Sequence, residues 1–144
     1  RQRQMCIRDR YKLFNREPEE EGILRQAKEN GTGFIAFSPL AQGLLTNRYL
    51  NGIPDDSRIA KGGFLKKEAL TDEVLKKIKA LNELAIRRGQ TLAEMALAWI
   101  LKDDLVTSVI IGASSVGQLA DNLKAIDNTA FSAEELKNIY QIVK

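Results

Sequence analysis

The stretch Ser108-Val-Ile-Ile-Gly-Ala-Ser-Ser-Val-Gly-Gln-Leu-Ala-Asp-Asn122 constrains the whole chain. Its β-branched run Val109, Ile110, Ile111 predicts a short strand over 107–111, buried on both faces as in a parallel sheet. Gly112-Ala113-Ser114-Ser115 breaks the run with residues small enough for a ligand to approach the backbone closely. From Ser115 to about Ile126 the period is helical. Leu119, Leu123 and Ile126 share one stripe, and Ser114, Gln118, Asp121 and Asn122 share another. A helix that starts at the C-terminal end of a parallel strand presents unpaired N–H groups and the positive end of its dipole, which suits an anion.

The remaining segments supply units of the same kind. Tyr11-Lys-Leu-Phe-Asn15 predicts a strand, and Glu19 to Asn30 predicts a helix with three glutamates in its first turn. Gly33–Phe37 predicts a second strand, closed by Ser38-Pro39. Residues 39–70 keep no period and read as a lid or binding loop. Thr71 caps a helix running to about Arg88, with Val74, Ile78, Leu81 and Ala85 inward and Gly89 as its left-handed stop. Thr91-Leu-Ala-Glu94 and Ser132-Ala-Glu-Glu135 are capping boxes. They open helices whose inward residues are Leu92, Met95, Ala96, Trp99 and Ile100, then Leu136, Ile139, Tyr140 and Val143. Alternating strands and helices imply an α/β fold with a parallel sheet. Only three strands are present, and a complete (β/α)₈ barrel takes about 250 residues. The 144 residues here therefore suffice for part of one, without a repeat, linker or second domain.

Composition narrows the chemistry. One cysteine and no histidine exclude a disulfide framework, a Cys/His zinc site and a histidine acid–base pair. The formal charge of +3 resides wholly in Arg1-Gln-Arg-Gln-Met-Cys-Ile-Arg-Asp-Arg10. The rest is neutral, so nothing in it points to nucleic acid. Residues 1–10 have no period and are expected to be a non-native leader outside the fold, leaving 11–144 as the domain. No apolar run matches a membrane span and no signal peptide is visible, which implies a cytoplasmic protein.

Three motifs carry a resemblance: Phe37-Ser-Pro-Leu-Ala-Gln-Gly-Leu-Leu-Thr46 with Arg48-Tyr49 and Gly52–Arg58, then Thr91–Ile100, then Ile110–Asn122. In this order the chain resembles the aldo/keto reductases from Tyr11 to about Ile126. The nearest branch is that of the bacterial glyceraldehyde-3-phosphate reductases and the potassium-channel β-subunits. The resemblance implies the C-terminal half of a TIM (β/α)₈ barrel, strands six to eight, incomplete as a barrel. It also implies reduction of aldehydes or ketones by hydride transfer from NADPH.

Site residues follow from the matching positions. The resemblance makes Tyr11 an aromatic that stacks on the nicotinamide. Ser38, Pro39, Leu40 and Gly43 would wrap the pyrophosphate. Arg48, where relatives often carry lysine, would meet a phosphate, and Arg58 would lie in the loop over the cofactor. Gly112, Ser114, Gln118, Asp121 and Asn122 would hold the 2′-phosphate, ribose and adenine, with Asp121 where glutamate is common. Without the family, Tyr11 reads as an ordinary strand aromatic, Ser38-Pro39 as a strand stop, Arg58 as a surface charge and the helix residues as a solvated face.

The family's catalytic Asp, Tyr, Lys and His lie on its first four strands, and no residue here matches their motifs. The resemblance thus implies the NADP(H)-binding portion of a reductase of small carbonyl compounds, with no catalytic residue and no metal ligand. The alternative is a cofactor-sensing regulatory protein of the β-subunit kind with little turnover. Exposed barrel edges make an oligomer possible.

Overall fold

A computed structural model of the chain describes residues 6–55 and 69–144. Three parallel strands, β1 (Cys6–Arg10), β2 (Gly33–Phe37) and β3 (Ser108–Ile110), lie side by side in that order. Arg10 faces Phe37 and Phe37 faces Ile110, so all three strands end on one rim. Parallel neighbours need crossover connections, and here these are helical. Helices α1 (Glu17–Glu20) and α2 (Ile23–Glu29) join β1 to β2; α3 (Asp72–Arg87) and α4 (Leu92–Ile100) join β2 to β3. Helices α5 (Val116–Leu123) and α6 (Ala133–Val143) follow β3. No helix among the described residues is long and apolar enough to cross a membrane.

The first strand lies at Cys6–Arg10 and not at Tyr11–Asn15, the run that the sequence pattern favours. Residues 6–10 pair with β2 through backbone groups, which any sequence supplies. Residues 12–15 instead close on themselves: the Lys12 and Asn15 N–H groups each donate to the other's carbonyl, at 3.1 and 2.9 Å. That turn drives Tyr11 and Leu13 into the core, which accounts for their strand-like alternation. The helix expected over 19–30 is broken at Gly22, whose φ of 77° lies in the left-handed region.

Side-chain alternation assigns the faces of the sheet. Phe34 and Ala36 are fully buried against the helices. Arg8, Ile35 and Ser108 form a row on the other face, and Arg10, Phe37 and Ile110 form the next. That second face is open, with Arg8, Arg10, Ser108 and Ile110 exposed. The expectation that β3 is buried on both faces is therefore corrected, because among the described residues helices cover only one.

The core sits on the covered face. Helix α4 is apolar nearly all round, and Leu92 and every residue from Glu94 to Ile100 are buried, as such a helix requires. Its start follows the capping box: Thr91 Oγ1 accepts from the Glu94 N–H at 3.2 Å, and the Glu94 carboxylate accepts from the Thr91 N–H at 3.0 Å. Trp99 lies at its centre, 5.0 Å from the Tyr11 ring and 6.5 Å from the Tyr140 ring. Helix α5 departs from this pattern. Leu119 and Leu123, and Ile126 on the 3-10 turn Lys124–Asp127 just past the helix, are 43, 54 and 65% exposed.

Arg88, just past α3, ties the last third of the chain down. Its side chain is only 3% exposed and pairs with Glu135 at 2.7 Å. It also donates to the Ala130 carbonyl at 2.9 Å and to Gln90 Oε1 at 2.9 Å. The guanidinium lies over the Phe131 ring at 3.7 Å. Partial burial works to raise the Glu135 carboxyl, but the Ser132 N–H and Arg88 outweigh it and hold Glu135 below its ordinary range. A carboxyl depressed by folding stabilises above its unfolded pKa, about 4.3 for glutamate, and that contribution fades as pH falls through the folded value. Urea midpoints measured from pH 7 to pH 3 will fall more steeply for the wild type than for Glu135→Gln.

Candidate functional site

The rim where the three strands end gathers most of the sequence-predicted site residues. Because β2 and β3 are adjacent, the segments leaving Phe37 and Ile110 start about one strand spacing, roughly 5 Å, apart.

The β2 exit is backbone-strained. Ser38, Ala41 and Gln42 have φ of 54°, 48° and 59°, and they are the non-glycine residues in the left-handed region among those described. Such conformations cost on the order of 1 kcal/mol each and persist where packing imposes them. Pro39 is buried and Leu40 packs against the core, which anchors the segment. The Gly43 N–H donates to the Leu40 carbonyl at 2.8 Å. Gly43 itself has φ 103°, which only glycine adopts without strain. Arg48 is exposed on the turn Asn47–Tyr49, whose Tyr49 is buried. Arg58 lies outside the described residues.

The β3 exit is open. No atom of the described residues lies within 4 Å of where a Cβ on Gly112 would stand, and its φ is ordinary. Among the described residues neither packing nor backbone requires glycine there. Ser115 caps α5, its Oγ accepting from the Gln118 N–H at 3.2 Å. The Ser114 N–H and O–H both donate to Gln118 Oε1, at 2.8 and 2.9 Å. Two donors of one residue thus converge on a single oxygen at a helix N-terminus. The first turn of α5 has no acidic residue, whereas α3 and α6 carry Asp72, Glu73, Glu134 and Glu135 in theirs. An anion at α5 would meet no carboxylate of that turn. Asn122 is half-buried and lies one turn beyond Gln118. Asp121 is turned to Lys124 at 2.8 Å.

Tyr11 stands apart from this group. It is fully buried among Trp99 and Phe34 on the helix-covered face. Its hydroxyl donates to Glu19 at 3.0 Å and accepts from Lys102 Nζ at 3.0 Å. Burial first, and Glu19 second, push its phenol far above the ordinary range. Its ring offers no face to a ligand. The aromatic that does stand at the rim is Phe37, the last residue of β2. It is half-buried on the open face, with the Arg8 and Arg10 guanidiniums 5.4 and 5.8 Å from its centroid. The sequence signal for it is its position: an aromatic directly before Ser38-Pro39 and two residues from Ile35 on the same face.

The sequence profile of the Aldo/keto reductase family matches residues 3–144. The chain belongs to that family. It is 51% identical over 135 residues to the L-glyceraldehyde 3-phosphate reductase of Escherichia coli K12. It is 40% identical over 120 residues to a probable voltage-gated potassium channel subunit beta of Arabidopsis thaliana. These alignments cover 91 and 81% of this chain but 39 and 37% of the relatives. The chain thus spans well under half the length of the curated reductases and channel subunits it matches. Among solved structures, a thermostable aldo-keto reductase in complex with epalrestat superposes with a TM-score of 0.65 at 27% identity, covering 95% of this chain and 39% of that one. The holo aldo-keto reductase of Bacillus halodurans gives 0.65 at 28%, covering 97% and 43%. The three parallel strands and their helices are accordingly part of an aldo/keto reductase TIM barrel.

Proposed function

We propose that this chain carries the cofactor-binding part of an NADP(H)-dependent, cytoplasmic reductase of small carbonyl compounds. On this reading the family's proton-donating residues lie outside the segment the chain spans. The observation that carries it is the convergence of the Ser114 N–H and O–H on one oxygen at the start of α5, beside the open space at Gly112. Gln118 Oε1 now takes the place that an anionic oxygen would fill.

Gly112, Ser114 and Gln118 would hold the 2′-phosphate and ribose, and Asn122 would address the adenine. Asp121 could join them only by releasing Lys124. The strained segment Ser38–Gly43 would bring backbone N–H groups to the pyrophosphate, with Arg48 and Arg58 adding positive charge. Phe37, rather than Tyr11, would give the nicotinamide a flat surface at the strand rim. The bound cofactor supplies a hydride; these residues bind it, orient it and hold it at the ends of the strands.

Titration calorimetry with the 144-residue chain tests this reading. NADP⁺ is expected to bind at least about tenfold more tightly than NAD⁺, because a hydrogen bond to a charged group contributes about 1.5–3 kcal/mol. Ser114→Ala is expected to remove most of that preference. Equal binding of the two cofactors by the wild type would overturn the assignment. NADPH oxidation by an aldehyde at an enzyme-like rate would show that a proton donor does lie within the chain.

A further inference from the structure

We infer that Thr46 is a positioning residue for the cofactor's diphosphate, holding the strained β2 exit in its binding shape. The inference rests on the cofactor reading above and adds to it a residue that is not among the proposed contacts. Ser38, Ala41 and Gln42 stand in the left-handed region, and Gly43 follows at φ 103°. A glycine has wide conformational freedom, so a segment that ends on one keeps its shape only if the next peptide is tied down. Thr46 ties it. Its hydroxyl donates to the Gly43 carbonyl at 2.6 Å and accepts from the Arg48 N–H at 3.3 Å.

The two bonds run in one direction, from the Arg48 amide through the hydroxyl to the Gly43 carbonyl. A hydroxyl can donate and accept at a single atom; a carboxylate cannot donate, and a methyl group does neither. Bonds arranged in such a chain polarise one another. The clasp joins the two stretches that the cofactor reading assigns to phosphate, the Ser38–Gly43 backbone and the turn that carries Arg48. Both sides of it are anchored. Leu44 and Leu45 are buried between Gly43 and Thr46, and Tyr49 is buried next to Arg48. The Tyr49 ring also lies 3.8 Å from where a Cβ on Gly43 would stand. With these neighbours fixed, the Gly43–Leu44 peptide is the joint that remains, and the Thr46 hydroxyl closes it. The segment is thus shaped before a diphosphate arrives, and binding does not have to order it.

Calorimetric titration with NADP⁺ and with adenosine 2′-monophosphate, which has the adenine and 2′-phosphate without the diphosphate, is the test. Thr46→Val keeps the side-chain shape and loses the hydroxyl. It is expected to weaken NADP⁺ binding about fivefold, near the value of one neutral hydrogen bond, and to leave adenosine 2′-monophosphate unchanged. Thr46→Ser is expected to restore NADP⁺ binding. Equal weakening of both ligands by Thr46→Val would overturn the inference, since a hydroxyl that merely supports the fold acts on both. Unchanged NADP⁺ binding would overturn it as well. A wild type that binds adenosine 2′-monophosphate as tightly as NADP⁺ would overturn it while leaving the Ser114 reading in place; one that binds neither would overturn both. Hydrogen exchange of the wild type reads the same point without a variant. The Arg48 amide should slow when NADP⁺ binds but not when adenosine 2′-monophosphate does, and equal rates with the two would overturn the inference.

Discussion

Replacing Arg88 with alanine will lower the stability of the fold by about 3–4 kcal/mol, the range seen when a buried ion pair loses one partner. The magnitude follows from what the guanidinium holds. It pairs with Glu135, donates to the Ala130 carbonyl and Gln90, and covers the Phe131 ring, while itself only 3% exposed. Without it those acceptors lose a charged donor, and the 128–131 segment loses its attachment to α3. Gln90 Nε2 still donates to the Asn128 carbonyl at 3.1 Å, so the segment keeps one tether. Arg88→Lys will recover less than half of the loss, because an ammonium cannot reach several acceptors while stacked on a ring. Urea denaturation followed by circular dichroism at pH 7 measures both. A loss for Arg88→Ala below about 1 kcal/mol would mean that the 128–131 segment is held by other contacts.

Trp99→Ala is expected to cost about 4 kcal/mol, the upper range for a large buried side chain. The indole is fully buried and lies between the Tyr11 and Tyr140 rings, with Lys102 Nζ 4.2 Å from its centroid. Its removal would leave a cavity at the junction of α4, α6 and the β1–α1 turn. Trp99→Phe should cost less than half as much. Among the described residues the Trp99 indole N–H makes no well-formed hydrogen bond, so phenylalanine forfeits packing and at most a weak contact with the Tyr140 hydroxyl. Thermal unfolding of the two variants separates these cases. Equal losses would show that the indole N–H, and not the bulk of the ring, accounts for most of the contribution of Trp99.

What could be read from the sequence was whatever depends on local chemistry. The capping boxes at Thr91 and Ser132, the cap at Thr71 and the left-handed stop at Gly89 each stand where residue type placed them. The strand at Gly33–Phe37 was legible for the same reason. What could not be read depended on contacts distant in sequence. Tyr11 and Leu13 alternate like strand residues, yet a four-residue turn produces the same alternation. The stripe of α5 has the period of a core face, but period does not tell whether anything covers it. At the candidate site, the strand–turn–helix pattern of the sequence placed the helix start where Ser114 meets Gln118. That Tyr11 is buried while the Phe37 ring lies on the open face could not be read, because the direction of a ring depends on contacts distant in sequence.

The order in which the strands pair has a consequence for how the chain comes together in time. Cys6 pairs with Gly33 across one short helical excursion. The Phe34 N–H and Thr107 Oγ1, by contrast, are 73 residues apart in sequence when they meet at 3.1 Å. Closing the longer span costs somewhat more chain entropy, about 0.6 kcal/mol per doubling, and rewards it only once α3 and α4 have packed. The unit of β1, α1, α2 and β2 can therefore assemble early, on a ribosome or after dilution from denaturant. The two rim segments that would grip opposite ends of a cofactor then meet only when β3 docks, so cofactor affinity should be among the last properties to return during refolding.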